Sequence, residues 1–190
     1  MEKPGKLPYA SDETPNRMML RAVGTIKNMV KKPFLIAGDR DIEMQGAIDD
    51  IRDEIRESHH AMSEIVIKKA MTQLLDGIEH YSHLVVLYWA HKVPELSRIL
   101  TRVHPMGRKE NPLVGIFCTC SPARPNPVLM SVVRLRGKKK NILHVSGLDA
   151  VDGSPVIDIK PYVKEFYPQM EVRIPDWMQK LCKEMKDCYE

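Results

Sequence analysis

The chain has no apolar run long enough to cross a bilayer. Its longest, LVVLYWA (Leu84–Ala90) and LVGIFC (Leu113–Cys118), fall far short of the roughly 20 residues that a spanning helix needs. The opening MEKPGKLPYASDETPNR lacks the apolar h-region of a secretory signal, so the expectation is a cytoplasmic protein without membrane contact. Cysteine is scarce, four in 190 residues, and without export a disulfide framework is not expected. No G-x-G-x-x-G, P-loop, G-x-S-x-G or H-E-x-x-H occurs, which removes the usual signatures of dinucleotide, nucleotide-triphosphate, α/β-hydrolase and zincin chemistry. The expected strands do not alternate regularly with helices, which disfavours a doubly wound α/β architecture.

What is present suits one domain with appendages. Hydrophobic residues make up 43% of the chain and charged residues 28%, enough apolar material for a real core under an ordinary soluble surface. Net charge is +4 with the seven histidines neutral. The cations concentrate in VKK (Val30–Lys32) and in RLRGKKKN (Arg134–Asn141). The second reads as a hairpin tip, where a solvated turn and a nucleic-acid contact both remain open. Cys118 and Cys120 form C-x-C inside an expected strand, so their side chains should share a face. With Cys182 and Cys188 at an unfamiliar spacing, thiols that are buried or merely reactive are expected rather than a metal site.

Along the chain, residues 1–18 are polar and proline-punctuated and read as an N-terminal arm. LRAVGTIKN (Leu20–Asn28) reads as a first strand. In DIEMQGAIDDIRDEIRESHHAMS the apolar positions Met44, Ile48, Ile51, Ile55 and Met62 recur mostly at three or four residues. That is the pattern of an amphipathic helix over Ile42–Met62, an insertion at 41–62. His59 and His60 lie near its end, where cations suit the macrodipole, and read as structural or surface residues. Strands follow at Glu64–Ile67, His80–Lys92, Leu113–Cys120, Val128–Leu135, Ile142–Leu148 and Pro155–Ile159, with a short helical KKAMTQLL after the first. Strands this closely spaced predict a mostly antiparallel sheet that curls or closes. A C-terminal helix follows, with Asp176 as N-cap and Trp177, Leu181 and Met185 on one face.

Two loops carry the candidate chemistry. CSPARPNPV (Cys120–Val128) holds prolines at 122, 125 and 127, which remove backbone donors and stiffen the segment. It either presents Ser121, Arg124 and Asn126 as preorganised polar groups or is an ordinary crossover at a sheet edge. GLDAVDGSPVIDIKPY (Gly147–Tyr162) crowds Asp149, Asp152 and Asp158 into a short span. Those carboxylates either hold a ribose, an amine or a cation, or close Asx-turns. His91 and Lys92 end the strand whose apolar body must be buried, which places them at its rim.

GIEHYSHLVVLYWAHK, GIFCTCSPARPNPVLMSVVRL and GLDAVDGSPVIDIKPY, in that order, resemble the TrmO (TsaA-like, VirR) family of S-adenosylmethionine-dependent methyltransferases. Members of that family act on the threonylcarbamoyl-adenosine beside the tRNA anticodon. The resemblance runs from Gly77 to about Tyr162, with the strand at Leu20–Asn28 added. It implies a mainly β, TsaA-like antiparallel barrel at 19–168, followed by a helical tail at 169–190. It also implies a homodimer with S-adenosyl-L-methionine bound near the subunit interface and tRNA as acceptor. Carried over by motif, the cofactor site would comprise His91, Lys92, Cys120, Ser121, Arg124, Asn126, Met130, Leu148, Asp149, Ala150, Val151, Asp152, Gly153 and Ser154. Asp152 or Asp149 would serve as base or steady the sulfonium, with His91 as the second choice. Two departures stand out. Cys120 replaces an arginine usual in the family, and PNPVLMS puts Leu129 where the family has glycine. The family's glutamine- and proline-bearing loop after the first strand is not recognisable either. These changes keep open methyl transfer to a thiol, metabolite, cofactor or protein, and a non-catalytic cofactor-binding role.

Overall fold

Alternation of apolar and polar residues dictates most of the strands. In Gly24–Lys27 (β1) Ile26 is buried while Thr25 and Lys27 face solvent, and Ser63–Ile67 (β4) repeats the period with Ile65 and Ile67 inside. His83–Trp89 (β5) is apolar almost throughout: Leu84, Val86 and Tyr88 enter the core, and Val85, on the opposite face, is buried as well. In this computed structural model, residues 18–33, 35–38, 41–44 and 48–186 are described.

Val128–Lys139 (β8), Ile142–Ser146 (β9) and Pro155–Pro161 (β10) complete a closed barrel of six strands in the order β1–β10–β5–β8–β9–β4, every pairing antiparallel. Closure leaves no edge to template aggregation. Ile26, Ile65, Leu84, Val86, Val133, Leu143, Val145 and Val156 fill the interior and are fully buried. Leu84→Ala is therefore expected to cost about 2–5 kcal/mol, read as a lower urea midpoint with an unchanged slope.

Smaller elements sit beside the barrel. Leu35–Ala37 (β2) pairs with Ile42–Met44 (β3), and Arg102–Val103 (β6) with Val114–Gly115 (β7). Ile42, Leu100, Val103, Ile116 and Ala123 form a second, small core. Asp41 joins the two hairpins: its carboxylate accepts the His104 backbone N–H at 3.0 Å and contacts His104 Nδ1 at 2.6 Å.

Three sequence expectations change. The helix covers Ile48–His60 (α1), not Ile42–Met62, because Ile42–Met44 pairs with Leu35–Ala37; cross-strand pairing overrides the helical period there. Leu113–Cys120 is not a strand beyond Gly115. The Thr119 hydroxyl and N–H both bond the Ile116 carbonyl, at 2.9 and 3.2 Å, closing a turn over Ile116–Cys118. A local side-chain bond has displaced the ladder, and the same-face argument for Cys118 and Cys120 falls with the strand; both are exposed free thiols. The C-terminal helix is Asp176–Glu184 (α2), with Pro175 rather than Asp176 at its N-cap. Asp176 instead places its charge in the first turn, where the macrodipole favours it. Met185 is buried, and Glu184 pairs with Arg108 at 2.6 Å, so the helix packs back onto the smaller lobe. Residues 1–17 of the expected arm, and Cys188, lie outside the described residues.

Candidate functional site

Beyond Trp89 the chain leaves the barrel at His91 and Lys92, and two loops meet it there. The proline segment is tied to this strand end by the Ala90 N–H, which donates to the Pro127 carbonyl at 2.8 Å. The loop after β9 is tied to it by the contact of His91 Nδ1 with Ser154 Oγ at 3.2 Å. Leu129 and Val156, on the two strands flanking β5, both pair with Tyr88. One strand end, one proline-braced loop and one acidic turn thus converge at a single mouth of the barrel.

The acidic turn owes its shape to two glycines with left-handed backbone, Gly147 at φ +82° and Gly153 at φ +83°, a region that side chains with a Cβ rarely adopt. A Cβ on Gly153 would stand 3.7 Å from His91 Nε2, so bare backbone faces the imidazole. Asn28 and Lys31, just past β1, hold the same turn. Asn28 donates its backbone N–H to Asp152 Oδ1 at 3.0 Å and its Nδ2 to the Ala150 carbonyl at 2.8 Å. Lys31 Nζ bonds Asp152 Oδ2 at 2.8 Å. Backbone bonds reinforce this, Asp152 N–H to the Val30 carbonyl at 2.7 Å and Gly153 N–H to the Ile26 carbonyl at 2.9 Å. Below the turn, the Tyr88 hydroxyl donates to the Asp149 carbonyl and contacts Ser131 Oγ at 3.3 Å. At its head, the Gly147 N–H donates to the His59 carbonyl at 2.8 Å, so the C-terminus of α1 abuts the turn.

The two aspartates are electrostatic opposites. Lys31 and the Asn28 N–H hold the Asp152 carboxyl below its usual range, so it stays ionised and engaged. Asp149 is exposed on the turn, close to the α1 terminus that the Gly147 N–H engages. Desolvation there pushes its carboxyl up, with His59 acting weakly in the opposite sense. Desolvation, and then Lys92, lower His91, which favours the neutral imidazole. Burial, aided by the Asp149 charge, raises Tyr88, whose phenol stays protonated as a donor.

Not every expected residue presents its side chain to this mouth. Leu148 and Ala150 are buried in the barrel core, so they offer the site only backbone. Ser121 is buried, and its hydroxyl accepts the Ala123 N–H at 3.2 Å. Arg124 folds back on its own loop, donating Nε to the Ser121 carbonyl at 2.8 Å and Nη2 to the Thr119 carbonyl. These two residues brace the loop. Lys92, Cys120, Asn126, Met130 and Gly153 are exposed, and Val151 is half-buried. Ser154 is buried, its hydroxyl donating to the Val151 carbonyl at 2.7 Å. Asp158 leaves the acidic cluster: it lies on β10, paired with Lys160 at 2.6 Å. Leu129, in place of a glycine, turns inward and packs against the barrel core. Reading the sequence did not single out Asn28, Lys31, His59, Tyr88 or Ser131 for this site. An asparagine ending the first strand was the one local sign available.

A family model described as the tRNA-methyltransferase O N-terminal domain matches residues 49–167. The chain belongs to the TrmO family. It is 40% identical over 148 residues to an S-adenosyl-L-methionine-binding protein of Archaeoglobus fulgidus, a match covering 78% of this chain and 91% of that one. A human tRNA (adenine(37)-N6)-methyltransferase is 36% identical over 101 residues, covering 53% of this chain but 22% of the human protein. The crystal structure of TrmO from Pseudomonas aeruginosa superposes with a TM-score of 0.59 at 25% identity, covering 83% of this chain and 61% of that one. The chain thus spans nearly all of the archaeal relative, but less than two thirds of the crystallised TrmO and about a fifth of the human enzyme.

Proposed function

We propose that this TrmO-family chain is an S-adenosylmethionine-dependent methyltransferase that acts in the cytoplasm as a homodimer, methylating the threonylcarbamoyl-adenosine beside the tRNA anticodon. Family membership and the names of the archaeal and human relatives support the cofactor and the acceptor class. The observation that carries the reading is the convergence of the His91–Lys92 rim, the braced 120–127 loop and the 147–154 turn. Among the described residues no helix is long and apolar enough to cross a membrane.

The groups present suit the ligand. S-adenosylmethionine combines a carboxylate, ribose hydroxyls and a cationic sulfur, and supplies an activated methyl group when bound. Lys92 would meet the carboxylate, the backbone at Val151–Gly153 would approach closely because Gly153 has no side chain, and Asp149 would face a hydroxyl or the acceptor. Methyl transfer is an in-line displacement, so alignment supplies most of the acceleration. The acceptor nitrogen must lose a proton, and Asp149 is the carboxylate whose environment raises its basicity. Asp152, held ionised by Lys31, keeps the turn in place and contributes fixed negative charge.

Cys120 favours a second reading. It is exposed where the family usually has arginine, and a thiol cannot pair with phosphate or a substrate carboxylate. Under this reading the acceptor is a small thiol, a metabolite, a cofactor or a protein.

Incubating the purified chain with methyl-labelled cofactor and tRNA bearing the modified nucleoside should place label in that nucleoside after digestion. Cofactor binding by calorimetry with label only in small acceptors would select the second reading. Absence of cofactor binding would overturn both.

A further inference from the structure

The outer face of β8 leads away from the cleft. Met130, Val132, Arg134 and Arg136 alternate outward along it, with Leu129, Val133 and Leu135 inward. A bulge between Leu135 and Gly137 then shifts the period, as an extra residue in one strand does. Lys138 now pairs with the buried Leu143, and Gly137 with the half-exposed His144. The three adjacent lysines consequently divide their roles. Lys138 turns to the barrel end, where its Nζ bonds Glu79 at 2.8 Å and the Leu75 carbonyl at 3.0 Å, bracing the hairpin. Lys139 and Lys140 stay exposed. Among the described residues no carboxylate pairs with Arg134, Lys139 or Lys140.

Two further observations bear on what this stripe meets. Lys140 holds a left-handed backbone at φ +56°, where glycine or asparagine is the ordinary choice and a lysine is strained; charge is kept at the tip at a conformational cost. Arg134 pairs in register with His83, whose ring meets Tyr162 edge-on at 6.5 Å, while Tyr162 stacks on Tyr167 at 4.9 Å. A row of cations without carboxylate partners along one strand face suits a phosphate backbone. From Met130 to Lys139 the strand extends roughly 30 Å at about 3.3 Å per residue, of the order of one turn of a nucleic-acid duplex.

We propose that the outer face of β8, from Met130 at the cleft rim to Lys139 and Lys140 at the hairpin tip, docks the phosphate backbone of an RNA stem whose loop enters the cleft. The proposal rests on the tRNA reading of that cleft and deepens it. Arg134 and the tip lysines would set affinity and orientation, without base specificity.

The test uses the full chain carrying Arg134→Gln, Lys139→Gln and Lys140→Gln together, with a circular dichroism spectrum and cofactor affinity to establish folding. Initial rates are measured on modified tRNA and on a short single-stranded oligonucleotide containing the same modified nucleoside. RNA binding is followed by anisotropy over a salt series. For tRNA, KM should rise about tenfold with kcat nearly constant, and the salt slope should fall by roughly two to three contacts. The oligonucleotide kinetics should not change. An unchanged tRNA KM and slope would overturn the proposal, as would equal losses on both substrates. Binding of poly-glutamate in place of RNA would also overturn it. If the wild type binds tRNA and cofactor but transfers no methyl group, the acceptor reading fails. The binding titration then still decides whether this surface docks RNA.

Discussion

Replacing Asp149 with asparagine is expected to slow methyl transfer by about 10²- to 10⁴-fold, the usual contribution of a positioned proton acceptor, while cofactor affinity changes little. The folded state should become more stable at neutral pH in the same variant. The sign follows from linkage. Desolvation raises the Asp149 carboxyl in the folded chain, so the native state binds more protons than the unfolded state over the window from about pH 3.9 up to the raised value. Stability falls as pH rises through that window, and above it the wild type carries a penalty that a neutral amide does not. Catalysis needs the opposite state, the free carboxylate, so the rate should climb with pH where stability declines. Initial rates over a pH series, with melting curves of both proteins at neutral pH, check the two halves separately. A variant that keeps full activity would remove Asp149 as base and leave His91, whose lowered basicity makes it neutral and able to accept a proton.

Asp152 sharpens the comparison because it sits only three residues away with its carboxyl shifted the other way. The sequence shows two aspartates in one turn and does not distinguish them. What separates them is contact at long range: Asn28 and Lys31 reach Asp152 across 124 and 121 residues. That contact exists because β1 pairs with β10 through Gly24 and Val156. The barrel strands were legible because alternation and β-branched runs report burial directly, as in β5 and β8. The end of the strand at Gly115 was not, because Thr119 closes a turn with a hydroxyl bond that no hydrophobic period reveals. The start of α1 is ambiguous in the sequence for a related reason. Met44 continues the helical period of Ile48, Ile51 and Ile55 but also alternates with Ile42 as in a strand, and pairing with β2 decides between them. For the proline segment, the rigidity was legible but not its direction. Ser121 and Arg124 spend their polar atoms on their own loop, so the wall they build reaches the site chiefly through Pro127, Asn126 and the exposed Cys120.

The other large effect is expected at Asn28, which touches no part of the proposed reaction. Asn28→Ala removes the Nδ2 bond to the Ala150 carbonyl and the Oδ1 acceptor of the Val30 N–H, at 2.8 and 3.1 Å. It leaves the backbone N–H to Asp152 intact. At about 0.5–1.5 kcal/mol for each bond lost, the 150–152 turn gives up roughly 1–3 kcal/mol of anchoring. If that turn grips the cofactor, the loss appears in binding, since the ligand must now order a segment that was ordered beforehand. Calorimetry should show cofactor affinity falling by about 5- to 150-fold, the same free energy expressed as a ratio, with global stability falling less than in Leu84→Ala. The core variant supplies the contrast, because it should lose stability while retaining affinity below its unfolding transition. Asn28→Asp keeps the acceptor for Val30 but loses the donor and sets a second carboxylate beside Asp152, so it should bind no better than the alanine variant. Wild-type affinity in Asn28→Ala would mean that the turn holds its shape on backbone bonds alone, through Asp152 to Val30 and Gly153 to Ile26, and that Asn28 stabilises the barrel mouth without preparing it for a ligand.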